Sequence, residues 1–259
     1  MRKGLPERVE RKLERRLDPV GRYGVRLTLF GLAVVLVGIP FGFLLEQVLR
    51  SGPLTSVDTG IARWLNDHID AVPGGVGTLQ TVSFLGKPIW LVVVVGGPGV
   101  WILVKHKYRL VLFLAVTCLG GGIVDTLVKI AVGRARPEVD HPVAHALGKS
   151  FPSGHAMSSI ICYGALLFVF LPLVAGSARR AALASTAVLV AAIGVSRLAL
   201  GVHFLSDILG GWALGTAWLL ASVAAFEIYR EDRGLRPTKP LEEGVEPEET
   251  TDLVASGRA

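Results

Sequence analysis

Apolar residues in this chain come in long unbroken runs separated by short polar islands. Six runs are long enough for membrane spans: 27–49, 87–104, 110–131, 155–175, 181–200 and 206–228. A bilayer core ~30 Å thick takes about 20 residues of helix. Backbone groups inside it must satisfy one another, so runs of this kind predict helices. The second run contains Gly96-Gly97-Pro98-Gly99, which predicts a kink. After the first run, Ser51-Gly52-Pro53 stops the helix. Residues 58–70 then set Ile61, Ala62, Trp64, Leu65 and Ile69 among polar positions. That mixture suits a short interfacial helix with Trp64 at headgroup level. The predicted fold class is all-α: a polytopic membrane protein of six transmembrane helices, with this interfacial helix in its first outer loop.

The ends differ from the middle. Residues 1–26 alternate nine basic residues with Glu7, Glu10, Glu14 and Asp18. The spacing fits a surface helix with i,i+4 pairs along an anionic leaflet, and equally a solvated tail. The basic stretch is long and acid-containing and no small-x-small site follows, so the first run reads as a retained anchor. Residues 229–259 are rich in Glu, Pro and Gly and read as a disordered tail. The organisation is therefore a basic tail (1–26), a membrane domain (27–228) and a polar tail (229–259). Six spans put both termini on one side. Nineteen Lys and Arg fall on that side and seven on the other. The positive-inside rule makes the termini cytoplasmic and the loops at 50–86, 132–154 and 196–206 extracytoplasmic.

Composition agrees with the pattern. The chain is 51% hydrophobic and 19% charged, against about 25% charge for soluble domains, and its mean hydropathy is +0.53. The net charge of +6 belongs to membrane edges. No stretch interleaves it with aromatics, so nucleic acid is not an expected partner. Cys118 and Cys162 fall in apolar runs and read as packed thiols.

Three polar islands interrupt the apolar background on the outer side. The first, Lys129 to Pro137, carries cations at 129, 134 and 136, against the topology rule. Such cations need an anionic partner, and phosphate suits them because arginine grips two of its oxygens. Lipid headgroups would also serve. The second, Phe151-Pro152-Ser153-Gly154-His155, opens a long helix with free N–H groups and a hydroxyl. Alone, it fits an ordinary N-cap better. The third runs from Ser196 through Arg197 and His203 to Asp207. His203 and Asp207 share a helix face if that segment is helical, and a carboxylate fixes an imidazole's tautomer. Together the islands supply cations, a helix N-terminus, two histidines and one carboxylate, with no carboxylate cluster for Mg²⁺. An anion site with two imidazoles and no metal points to phosphoryl transfer through a phosphohistidine. His141 and His145, beside Asp140, read as loop or the rim of a substrate mouth rather than a metal site.

The spacing Lys129-x6-Arg136-Pro137, then Pro152-Ser153-Gly154-His155, then Ser196-Arg197-x5-His203-x3-Asp207 resembles the three-part signature of the type 2 phosphatidic acid phosphatase superfamily. The motifs span about 80 residues in the family's order. The resemblance implies a metal-independent lipid phosphatase of the plasma membrane, without cofactor, with its site on the extracytoplasmic side. Its partners would be the bilayer and a phospholipid or polyprenyl phosphate: phosphatidate, phosphatidylglycerol phosphate or undecaprenyl diphosphate. It implies His203 as nucleophile, Asp207 as its orienter and His155 as general acid. Lys129, Arg136, Arg197, Ser153 and Gly154 would hold the phosphoryl oxygens. Arg134 lies outside the required pattern and counts as auxiliary. Asp125, four before Lys129, would pair with it or position it. A bell-shaped pH profile without added metal is expected. A phosphotransferase of the same architecture and a non-catalytic headgroup binder are the rival readings, though binding alone does not need His203 with Asp207.

Overall fold

The computed structural model describes residues 22–69, 74–138 and 147–255. Most of the basic tail, and Asp140, His141 and His145, lie outside them. The described residues form helices and no strand. In chain order these are α1 (Arg22–Leu49), α2 (Pro53–Ile69), α3 (Gly75–Phe84), α4 (Pro88–Val104), α5 (Tyr108–Val132), α6 (Gly154–Phe170), α7 (Gly176–Ala199) and α8 (Leu205–Asp232). Two short helices follow, α9 (Pro240–Glu243) and α10 (Pro247–Ala255).

Among the described residues, four helical segments are long and apolar enough to cross a membrane: Tyr108–Val132, Gly154–Leu173, Gly176–Ala199 and Leu205–Asp232. Each contains the core of an expected span. The 87–104 run behaves differently. α4 has 17 residues, about 25 Å of helix, short of the ~30 Å hydrocarbon core. α3 extends it across a 44° bend, and the two together reach spanning length. Pro88 sits at the first turn of α4, where its missing N–H costs nothing. The expected interfacial helix is α2, which begins earlier than expected, at Pro53. Within α1, Val37–Leu49 is a shorter apolar stretch.

α6 is the central helix. It packs on α4, α5, α7 and α8, while α1 lies along α8. Phe113, Phe168, Leu219 and Phe226 form part of the core between α5, α6 and α8. The outward faces stay apolar. Val92, Leu119, Ile123, Ile130 and Val188 are all exposed. A continuous apolar exterior of this kind suits lipid tails.

The polar tail is not disordered over 240–255, which corrects the expectation from its composition. Arg230, at the end of α8, is fully buried. It donates to Glu246 and, at 2.9 Å, to Glu248. Arg109 lies 2.9 Å from Glu249. Thr250 Oγ1 donates to Val169 O at 2.9 Å, and Leu253 enters the core. The tail's acids have cationic partners on the bundle end, which offset the cost that composition alone assigns them.

Candidate active site

Helix starts and stops gather the three polar islands at one end of the bundle. α5 ends at Gly133, whose φ of 65° lies in the left-handed region that favours glycine. The turn carries Arg134 and Arg136 away from the helix. The chain returns to Ser153, which caps α6 by accepting the Ala156 N–H at 3.5 Å. The 200–204 segment links α7 to α8, whose first turn carries Asp207. The Ser153 N–H donates to Asp207 O at 2.9 Å, tying the start of α6 to that of α8. Gly211 permits the approach: a Cβ there would lie 2.7 Å from Ser153 O.

His203 and Asp207 are buried. His203 Nδ1 lies 3.3 Å from Asp207 Oδ2, and Nε2 lies 3.1 Å from Arg136 Nη1. A carboxylate only accepts and a guanidinium only donates. The neutral ring therefore carries its proton on Nδ1 and its lone pair on Nε2. Burial pushes His203 down to about 4, against the pull of Asp207 and with Arg136 and Arg197 adding to the fall. The imidazole is thus neutral at pH 7. Asp207 Oδ2 also accepts from the Phe204 N–H at 2.9 Å and from Ser150 Oγ, and Oδ1 accepts from Arg134 Nη1 at 2.6 Å.

Arg136 is held by backbone carbonyls. Nη1 donates to Val202 O at 2.8 Å, Nε to Gly148 O at 3.1 Å and Nη2 to Leu147 O at 3.0 Å. Burial lowers its pKa and the charge of Asp207 opposes the fall. Lys129 Nζ donates to Asp125 and, at 2.7 Å, to Pro152 O. Gly154 leaves room for that pair: a Cβ there would lie 3.1 Å from Asp125 Oδ2 and 3.3 Å from Lys129 Nζ. Arg197 is buried and donates through Nη1 to Ser83 Oγ of α3 at 2.7 Å. His155 sits within electrostatic reach of His203, Arg136, Arg197 and Lys87. Its Nε2 and the Nε of Arg197 are buried without a hydrogen-bond partner. Buried polar atoms are nearly always paired, so these two are available to a polar ligand.

All eight expected site residues therefore lie at one bundle end, with Asp125 beside Lys129. Sequence reasoning missed Ser83, Ser150, Ser206 and Asp58. Arg134, set aside as auxiliary, contacts Asp207 directly. Among the described residues no three of His, Cys, Asp and Glu converge as metal ligands. The arrangement offers a neutral imidazole with an aimed lone pair, a second imidazole and three cations. It can bind an anion with tetrahedral oxygens and attack it.

The chain is similar to several known proteins. A family model described as the PAP2 superfamily matches residues 109–230. Phosphatidylglycerophosphatase B of Bacillus subtilis (strain 168) is 28% identical over 186 residues, covering 68% of this chain and 86% of that protein. A lipid A 1-phosphatase of Rhizobium etli is 30% identical over 112 residues, 40% of this chain and 44% of that protein. Among solved structures, a transmembrane PAP2-type phosphatidylglycerolphosphate phosphatase from Bacillus subtilis shares the fold. It aligns with a TM-score of 0.68 at 21% identity, over 80% of this chain and 98% of that one.

Proposed function

We propose that the chain, whose residues 109–230 match the PAP2 superfamily model, is a member of that superfamily and a membrane lipid phosphatase acting through a phosphohistidine on His203. The observation that carries the reading is the pairing of a neutral, Asp207-oriented His203 with the unpartnered His155 Nε2 and Arg197 Nε in one buried cluster. His203 Nε2 attacks phosphorus, and the P–N bond forms as the P–O bond to the lipid breaks. His155, protonated on Nε2, gives its proton to the leaving oxygen. Water then attacks the phosphohistidine, His155 takes the water's proton, and inorganic phosphate leaves. Lys129, Arg136, Arg197, Ser153 and the Gly154 N–H hold the equatorial oxygens, where developing charge spreads. No step requires a metal.

The substrate class is a phosphate monoester or diphosphate of a membrane lipid. The relatives' names favour phosphatidylglycerol phosphate among phosphatidate, phosphatidylglycerol phosphate and undecaprenyl diphosphate. The catalytic domain is 27–228, with six spans, α1 supplying the first and α3 with α4 the second. Both termini face the cytoplasm and the site opens on the extracytoplasmic face of the plasma membrane, as the charge asymmetry supports.

Phosphate release from the three lipids in detergent, with and without chelator, tests the reading. Chelator-resistant hydrolysis is expected, together with its loss in His203→Ala and a ³²P label on histidine that is stable to base and labile to acid. Undiminished hydrolysis by His203→Ala overturns the mechanism. Phosphorylated acceptor in place of free phosphate would make the chain a transferase.

A further inference from the structure

Asp58 belongs to α2, outside residues 109–230, and no motif marks it. It is nonetheless 1% exposed. Its Oδ1 accepts the Ser206 N–H at 3.0 Å, and its Oδ2 accepts Ser206 Oγ and, at 2.8 Å, Arg134 Nη2. The other arm of the same guanidinium reaches Asp207: Arg134 Nη1 donates to Oδ1 at 2.6 Å and to Ser206 Oγ at 2.7 Å. The Phe204 ring closes the remaining side, with its centroid 4.2 Å from Arg134 Cζ. Asp207 in turn faces His203 through its other oxygen, Oδ2. The result is a linear chain of carboxylate, guanidinium, carboxylate and imidazole.

A buried ion pair can serve merely to dock one helix on another. Two features go beyond docking. Ser206 alone would dock Asp58 through its N–H and hydroxyl, so the arginine is surplus to that task. The guanidinium also ends on the oxygen of Asp207 opposite the one facing His203, where it fixes the carboxylate's rotation and offsets part of its charge. Lysine has no planar fork with which to span two carboxylates.

We propose that Asp58 and Arg134 are positioning residues that act through Asp207, together setting the orientation of His203 and the strength of the field that Asp207 exerts on it. The inference rests on His203 acting as the nucleophile. Arg134 withdraws charge from Asp207, and Asp58 returns part of it by sharing the arginine. Neither touches the reacting atoms. The charged and titratable groups facing His203 are Asp207 from α8, Arg136, Arg197 from α7 and His155 from α6. Those facing Asp207 include Arg134, Arg136 and Lys129. Changing Asp58 or Arg134 leaves every one of the others in place.

The two members of the pair therefore have opposite electrostatic signatures. With Arg134→Met, Asp207 acts undiluted on the imidazole, which becomes easier to protonate, and the acid limb of kcat moves up. With Asp58→Asn, the arginine's charge falls wholly on Asp207, the imidazole becomes harder to protonate, and the limb moves down. Each shift should be about half a pH unit or more. Substrate ionisation is common to all variants and cancels from the comparison. Each variant should lose ~10-fold in kcat with KM changed less than about twofold. Arg134→Lys keeps the charge and not the bridge, so its limb stays near wild type while kcat recovers in part.

The test is the pH profile of phosphate release by detergent-purified full chain, for wild type, Asp58→Asn, Arg134→Met, Arg134→Lys and His203→Ala, each first shown to be monodisperse. Opposite limb shifts with partial lysine rescue are the expected result. Limbs that coincide, or move the same way, while His203→Ala is inactive overturn the positioning role and leave the nucleophile standing. Should Arg134→Met not yield folded protein, the Asp58→Asn and Arg134→Lys limbs decide alone: a downward shift in the first with none in the second supports the pair, and any other pattern overturns it. Hydrolysis surviving in His203→Ala overturns this inference and the function it rests on.

Discussion

Adding one methyl group at Gly211 should damage catalysis without touching a catalytic side chain. The Cβ of Gly211→Ala would lie 2.7 Å from Ser153 O, 3.1 Å from Ala156 Cβ and 3.2 Å from Met157 N. Two of these are backbone atoms, so no side chain can swing away. An ordinary carbon–oxygen contact needs about 3.3 Å, so α6 and α8 must separate there by about 0.6 Å. The Ser153 N–H bond to Asp207 O, 2.9 Å long, crosses that seam, and His155 stands two residues further on. A misplacement near 1 Å costs roughly 10²-fold in rate, so kcat should fall ~10- to 100-fold. Overpacking should also cost about 1–3 kcal/mol of stability, offset in part by the ~1 kcal/mol helix preference of alanine over glycine. The assay is phosphate release on detergent-purified protein, with kcat and KM separated and the melting temperature recorded. Gly122→Ala is the control, since a Cβ there meets nothing within 4 Å. A folded Gly211→Ala enzyme with wild-type kcat would refute the claim that this close seam sets the site's geometry.

Four further outcomes are expected. Because burial holds His203 near 4, it stays neutral well below the ordinary imidazole range near 6.5. Asp207→Asn removes the charge that raises it, so the acid limb should move lower still while kcat drops ~10²-fold or more through loss of orientation, as pH profiles of the two proteins would show. Arg197→Lys loses the fork and the Nε donor, and kcat/KM should fall roughly 10²-fold; Ser83→Ala, which leaves Arg197 Nη1 without its partner, should cost several-fold in the same assay. Glu246→Ala leaves the buried Arg230 with Glu248 as its carboxylate partner beside the Arg236 carbonyl and should destabilise the protein by about 3 kcal/mol, read as a lower melting temperature with kcat at 25 °C unchanged.

The islands bearing Lys129, Ser153 and His203 could be read from the chain because charge inside an apolar run is conspicuous and their spacing is specific. The long spans could be read for the same reason: lipid demands a long uniform run. Asp58 could not. It sits among ordinary polar residues of an amphipathic helix, and only packing shows that its side chain turns inward. Ser83 is hidden likewise, one hydroxyl in a segment of mixed polarity. α3 was missed as part of a span because its ten residues are too few to look membranous, and only its continuation across the bend into α4 reveals the role. The tail misled through composition. Glu, Pro and Gly read as solvated when counted, and the buried Arg230 that recruits Glu246 stands sixteen positions earlier.

That separation has a consequence in time. A chain is made from its N-terminus, so Arg230 is in place before Glu246 and Glu248 have been synthesised. Without them, Arg230 at the end of α8 would lack both of its carboxylate partners. A nascent chain halted before residue 246 would carry every catalytic group and still be unfinished at the opposite end. The carboxylates that neutralise Arg230 therefore come from a part of the chain that carries none of the site's side chains.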